Sequence, residues 1–342
     1  MQRTASKLAA AAAVAIVALA YPGVQGAAAQ AGQQGGGRGG GRGAAPAATD
    51  AELHILKVQG NVYMLVGAGG NIALQIGDDG VLLVDTGLAA NAEKVVAAVR
   101  TVSNKPIRYI VNTHVHPDHV GGNDTIGKLG STIAGGNVGA GAGVGAGIIA
   151  HENVLTRMSA PTGQQAPFPQ SAWPTDTYIT KQKELYFNGE SLQIIHQPAA
   201  HTDGDSIVYF RKSDVIVAGD LFVTTTYPFI DSARGGNITG IIAALNNMLD
   251  IAIPKAMQEG GTYIIPGHGR LTDEADLLEY RDMITIIRDR IADGVKRGQT
   301  LEQVKAGKPT LDYDARWGAT SGFWTTDQFI EQVYKDLSKA KK

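Results

Sequence analysis

The sequence predicts an α/β protein of two similar halves, packed sheet on sheet with helices outside. Three observations predict it. From Leu53 to Asp85, short apolar runs alternate with Gly and Asp-Gly turns, the pattern of a strand meander. The same order, strands and then a helix, returns between residues 184 and 252. Toward the end, Leu277, Tyr280, Ile284, Ile287, Ile291 and Val295 recur at helical spacing, so one face of a long helix is apolar. The repetition is one of topology, because no stretch of sequence recurs.

Taken in order, residues 53–58, 62–66, 71–76 and 81–84 are expected strands, with Asp78-Asp79-Gly80 as a hairpin turn. Residues 89–101 are an expected helix with Val95, Val96 and Val99 on one face, and 107–111 a buried strand. A Gly-rich stretch, 135–147, has the character of an insertion, either a lid over a site or a surface excursion. A helix is expected over 150–158. Strands follow at 184–187, 192–196, 206–210, 215–218 and 263–265. Helices are expected at 238–252, 273–297 and 325–337, the last two within a helical C-terminal region, 273–338.

Composition narrows the function. The 342 residues carry 30 Lys and Arg against 32 Asp and Glu, a net charge of −2. That balance lacks the basic footprint of a nucleic-acid-binding protein. The absence of cysteine excludes a disulfide framework, a thiolate metal site and a cysteine nucleophile. The apolar content of 44% supports a sizeable core. Of the 44 glycines, eight fall in 31–43 and eight in 130–147, so the excess is partly local.

Arg3 and Lys7 precede an apolar run at 8–20, too short to span a bilayer comfortably, and Ala27-Ala28-Ala29 offers a small-residue cleavage site. Residues 1–29 are therefore an expected signal peptide. The mature protein is expected to be periplasmic or secreted, without a stable membrane span. Residues 30–49, rich in Gly and Ala, are an expected flexible linker. The folded domain is expected over 50–342.

The chemistry is concentrated in Thr113-His114-Val115-His116-Pro117-Asp118-His119, which directly follows a predicted strand. Imidazole nitrogens and carboxylate oxygens suit zinc. His114 and His116 can reach one ion, while Asp118 and His119 point elsewhere on a tight loop and can reach a second. His201, Asp220 and His268 also follow predicted strands, each beside Gly or Pro where the backbone turns sharply. With the 113–119 cluster they complete two coordination spheres.

This T-H-x-H-x-D-H pattern resembles the metallo-β-lactamase superfamily. The likeness runs from about Val58 to His268 and includes the turn at Asp85-Thr86-Gly87, G-D-S-I-V-Y-F at 204–210 and P-G-H-G at 266–269. It implies an αββα sandwich, two β-sheets flanked by helices, with a dinuclear site along one edge. It implies one zinc on His114, His116 and His201, a second on Asp118, His119 and His268, and Asp220 bridging them. Asp85 would orient a ligand, and Asp205 is a further candidate acceptor behind the ligands. The implied activity is hydrolysis of an ester, thioester, lactone or amide carbonyl in a small molecule. A metal-bridging hydroxide would be the nucleophile, with Asp118 orienting it. Iron or manganese suits the same N/O ligands.

The chain departs from parts of that family. Lactam-hydrolysing members of one subclass carry Cys at the bridging position and Lys three residues later, where this chain has Asp220 and Val223. The β-lactamase alternative is weakened accordingly. Asp at this position resembles the glyoxalase II-type thioesterases, lactonases and general hydrolases. The lactonases commonly have Tyr three residues on, whereas here the nearest is Tyr227. A non-catalytic, metal-holding protein of the same fold is a third alternative. Arg234, in the 229–237 segment, is a candidate for a substrate carboxylate.

Other motifs fall short. Residues 122–128 approach a phosphate-binding loop but end in Leu129 where Ser or Thr is needed. His54 and His196 are expected to face a sheet or solvent, and His151 to cap its helix. Trp173, Trp317 and Trp324 are expected in the core or in a pocket wall.

Overall fold

The computed structural model describes residues 52–132, 145–159 and 165–339. The expected signal peptide, the linker and residues 135–144 of the Gly-rich stretch lie outside the described residues.

The first sheet contains seven strands in sequence order: β1 (His54–Gln59), β2 (Val62–Val66), β3 (Ile72–Gly77), β4 (Gly80–Val84), β5 (Ile107–Val111), β6 (Gly147–His151) and β7 (Asp176–Tyr178). β1 to β4 form an antiparallel meander, and β4 to β7 run parallel. The second sheet holds β8 (Gln182–Phe187), β9 (Glu190–His196), β10 (Ser206–Phe210), β11 (Val215–Gly219), β12 (Tyr263–Pro266) and β13 (Thr272–Asp273). Only its β11–β12 pair is parallel.

Alternation along the strands builds the layers. On β4, Leu82 and Val84 face the second sheet and meet Val208, Phe210, Val215 and Val217 in one buried cluster. Val81 and Leu83 face outward instead, against Val95 and Val99 of α1 (Ala92–Val102). The outer face of the second sheet, through Ile207 and Ile216, packs on α5 (Ile238–Leu249), α6 (Glu274–Lys296) and α9 (Thr326–Lys339). The layers are helix, sheet, sheet, helix, as expected for the αββα sandwich. Shorter helices are α2 (Pro117–Val120), α3 (Asn123–Leu129), α4 (Glu152–Met158), α7 (Leu301–Ala306) and α8 (Asp314–Trp317).

One local expectation is corrected. Ala150 and His151 are not the start of a helix but the end of β6, paired in parallel with β7. A short, continuously apolar run reads alike as a buried strand or helix. The helix starts at Glu152, where His151 caps it as expected by accepting the Asn153 N–H at 3.3 Å. The near phosphate-binding loop is helical α3. Among the described residues no helix is long and apolar enough to cross a membrane.

Candidate metal centre

The site lies where strands end. His114 and His116 follow β5, and Asp118 and His119 lie on the single turn of α2. His201 sits between β9 and β10, Asp220 directly follows β11, and His268 lies between β12 and β13. β4 and β5 are parallel, as are β11 and β12, so these ends gather along one edge of the sandwich. The second sheet is tied to the first there: Asn71, just before β3, donates through Nδ2 to the carbonyls of Pro266 and Gly269 at 2.8 and 3.1 Å.

All seven expected ligands come together in two adjoining groups. His114, His116, His201 and Asp220 form one, and Asp118, His119 and His268 the other, the ligand atoms of each lying within 4.8 Å of one another. Asp220 faces both. Its Oδ2 is 3.9 Å from His114 Nε2 and 3.8 Å from His201 Nε2. Its Oδ1 is 3.1 Å from His119 Nε2 and 3.5 Å from His268 Nε2. Asp118 Oδ2 closes the second group, 3.1 Å from His268 Nε2.

Hydrogen bonds behind the rings decide which nitrogen faces inward. His201 Nδ1 lies 2.7 Å from the Phe229 carbonyl, which can only accept. His116 Nε2 lies 2.9 Å from Asp231 Oδ2, and His119 Nδ1 2.8 Å from Asp85 Oδ2. Thr113 donates its hydroxyl to Asp85 Oδ2 at 2.6 Å, so it accepts from His114 Nδ1 at 3.0 Å. The four rings therefore turn lone pairs toward the cluster. His116 Nδ1 and His201 Nε2 then face each other at 2.9 Å, an arrangement that calls for a cation between them. His114 Nε2, His119 Nε2 and Asp220 Oδ1 are buried without a hydrogen-bond partner, as metal-binding atoms are before an ion satisfies them. Donor set and orphaned atoms both fit divalent metal ions.

The electrostatics differ between the groups. Burial and the neighbouring histidines push His114 well below the usual imidazole range, and burial with His116 brings His201 down to about 4. Both are held in the neutral, ligating form. In the second group burial opposes the charge on His119, but Asp220, Asp118 and Asp85 outweigh it and raise the ring well above its ordinary value. Asp220 likewise raises His268 to about 9 against burial. For Asp118, burial is outweighed by His119 and by the bond to His268, which bring it down to about 2. Asp220 is lowered in the same way, burial yielding to His268 and His119. The carboxylates around this group therefore demand positive charge.

Asp85 sits behind the cluster as expected. It is buried and adopts a left-handed backbone (φ 66°), which Asp tolerates better than most residues. Its Oδ1 also accepts the Thr113 N–H at 2.8 Å. Gly70 allows the buried His119 ring to sit close, because a Cβ there would lie 2.5 Å from the imidazole. Asp205 touches no ligand ring. It accepts the N–H and hydroxyl of Thr202 at 2.7 and 2.6 Å and so shapes the turn that carries His201, and burial lifts its carboxyl to about 8. Arg234 is already engaged, its Nη1 lying 2.6 Å from Asp231 Oδ2. Sequence reasoning missed Asp231 and Asn71. Asp231 is the only acid in the 229–237 segment that carries Arg234, which is the signal the sequence offers.

The sequence pattern described as the metallo-beta-lactamase superfamily matches residues 58–268. The chain belongs to the metallo-beta-lactamase superfamily. The expectation of an enzyme of this superfamily rests on that membership. A curated relative, the Linear primary-alkylsulfatase of Pseudomonas sp., is 25% identical over 295 residues, 75% of this chain and 53% of its own length. The Beta-lactamase-like protein 2 homolog of Caenorhabditis elegans is 24% identical over 196 residues, 56% of this chain and 53% of its own. The chain thus spans about half the length of these curated relatives. Among solved structures, the stereoselective inverting sec-alkylsulfatase Pisa1 from Pseudomonas sp. aligns with a TM-score of 0.59 at 17% identity, over 83% of this chain and 50% of that one. A metallo-beta-lactamase from Pontibacter korlensis aligns with a TM-score of 0.52 at 16% identity, over 68% and 99%. At these identities the superfamily likeness in structure concerns the fold.

Proposed function

We propose that the chain is an exported metallo-hydrolase that holds two divalent ions, zinc foremost, and hydrolyses an ester, thioester, lactone or amide bond in a small molecule. The observation that carries this is Asp220, whose two oxygens face the two histidine groups separately. His114, His116 and His201 would hold one ion and Asp118, His119 and His268 the other, with Asp220 shared. Ions so held supply a Lewis acid for the substrate oxygen and a water of lowered pKa.

The chain's own residues do the rest. Asp118 is the more open of the two carboxylates facing the cluster, 26% exposed against 14% for Asp220. Its low pKa suits an acceptor that orients the attacking water rather than one that stores its proton. Asp85, Thr113, Asp231 and the Phe229 carbonyl fix the ligand rings, so little reorganisation is needed as charge develops. Asp at the shared position supports the glyoxalase II-like and general hydrolase branch. Val223, buried, supplies no cation for a lactam carboxylate, and Arg234 is paired with Asp231. Export rests on Arg3, Lys7 and the 8–20 run, and N-terminal sequencing of the secreted or periplasmic form tests it.

A second possibility is a sulfate ester, favoured by the alkylsulfatase relative that aligns over 75% of the chain. One experiment separates the alternatives: metal content of the purified chain, with hydrolysis of a thioester, a lactone, a p-nitrophenyl ester, nitrocefin and an alkyl sulfate. Two metals per chain and chelator-sensitive turnover of a carbonyl substrate are expected. Turnover of the alkyl sulfate alone favours the second possibility, and of nitrocefin alone the β-lactamase. Two metals without any turnover favour a metal-holding binding protein. Failure to bind metal after reconstitution overturns the proposal.

A further inference from the structure

A group of aromatic rings connects the ligand cluster to solvent. Phe229, whose carbonyl holds His201, has its ring 5.8 Å from that of His116 and 5.6 Å from that of His201, centroid to centroid. Phe323 and Trp324 then stand edge-on to Phe229 at 4.8 and 4.9 Å. These two belong to a segment outside the superfamily match, which ends at residue 268. Their loop is tied at its base, where Ala319 and Thr326 exchange hydrogen bonds at 2.9 and 3.0 Å. Gly322 turns it through a left-handed backbone (φ 101°) just before Phe323. Trp324 is half-buried and donates its indole N–H to the Pro228 carbonyl at 3.1 Å. Phe323, by contrast, is 76% exposed.

Single exposed apolar side chains are common on folded proteins; Phe323 is set apart by its contact with Phe229, whose ring lies against His116 and His201. A macromolecular partner would need about 800 Å² on this side, far more than one ring offers. The rings lead instead straight to His116 and His201. Resting on the hydrolase proposal above, we infer that Phe229, Phe323 and Trp324 form the apolar wall of the substrate site. The substrate then carries an alkyl chain or an aryl ring on the fragment beside the reacting bond, and Phe323 is a specificity-determining residue.

The test uses the metal-loaded full chain and its Phe323→Ala variant, with p-nitrophenyl acetate, butyrate, hexanoate and phenylacetate. In the parent, kcat/KM rises with chain length, each buried methylene contributing up to about fourfold. In the variant the hexanoate-to-acetate ratio falls about tenfold, the equivalent of roughly two methylenes. Phenylacetate tells an aryl preference from an alkyl one. A second readout needs no turnover: Trp fluorescence titrated with acetate, butyrate and hexanoate, the signal vanishing in Trp324→Phe. Chain-length-dependent binding that weakens in Phe323→Ala upholds the wall even if no p-nitrophenyl ester is hydrolysed, an outcome that counts against simple esters as substrates and not against the wall. Equal chain-length dependence in parent and variant, in both readouts, overturns the wall.

Discussion

Asp231 Oδ2 lies 2.9 Å from His116 Nε2 and 2.6 Å from Arg234 Nη1, so one buried carboxylate ties a candidate ligand ring to a half-exposed guanidinium. The hydrogen bond fixes which His116 nitrogen faces the cluster. Asp231→Ala is expected to weaken the metal affinity of the His114, His116 and His201 group by about 10- to 100-fold, the usual cost of losing such a partner. Asp231→Asn retains an acceptor for the ring N–H and should lose less. Competition with a chromophoric chelator measures both. Equal affinity in parent and Asp231→Ala would refute the role.

Asp85 holds two neighbours of the site through three hydrogen bonds. It accepts the Thr113 N–H and hydroxyl and the His119 ring nitrogen. Asp85→Ala would leave those buried donors unsatisfied, a cost of at least about 3 kcal/mol in unfolding free energy at about 1 kcal/mol or more for each lost bond. Urea unfolding of metal-free protein measures it. Because His119 also loses its orienting partner, stoichiometry should fall toward one metal per chain. A stable variant that keeps two metals would count against this account.

The candidate ligands were legible in the sequence because metal chemistry restricts residue type and strand ends restrict position. Seven of them cluster in space as their spacing suggested. The inner and outer faces of β4 were legible too, since period-two alternation is local. What supports the site was not. Asp231 and Asn71 act on partners far away in sequence, His116 and the 266–269 turn, and a polar residue in a loop does not reveal such a partner. Nor could periodicity separate the parallel strand β6 from a helix, because both bury Ile148, Ile149 and Ala150. Phe323 was invisible for a related reason: its importance lies in contact with Phe229, ninety-four positions earlier.

Asn71 fastens the His268 turn to the first sheet. Its side chain bonds to Pro266 and Gly269, and its N–H donates to the Gly267 carbonyl at 2.8 Å. Asn71→Ala removes only the two side-chain bonds, which costs about 1–3 kcal/mol. His268, one-third exposed and the least buried of the histidine ligands, should then position poorly. The expected result is selective weakening of the second metal. It is checked by loading one equivalent and then two during calorimetric titration; a uniform loss at both sites would mean the turn matters only for folding.

The pH dependence of stability can be predicted from a residue outside the cluster. His151 Nδ1 accepts the Asn153 N–H, and its ring stacks on His196 at 3.6 Å with 9° between the planes. His196 Nε2 faces the Asp203 carbonyl at 2.9 Å. Burial, and then His196, lower the His151 pKa to about 4, against an ordinary value near 6.5. The native state therefore resists a proton that the unfolded chain accepts. Stability from this residue is fully present above about pH 6.5 and is lost as pH falls toward about 4, below which both states are protonated. Protonation at Nδ1 would also replace the acceptor that caps α4. His151→Asn supplies a neutral cap of similar reach, so its unfolding free energy should decline less between pH 6.5 and 4, by up to about 1.4 kcal/mol per pH unit where the proton difference is complete. Urea melts of both proteins, metal-free so that ligand release does not intervene, give the two slopes. Parallel slopes would show that His151 titrates alike in the folded and unfolded chain.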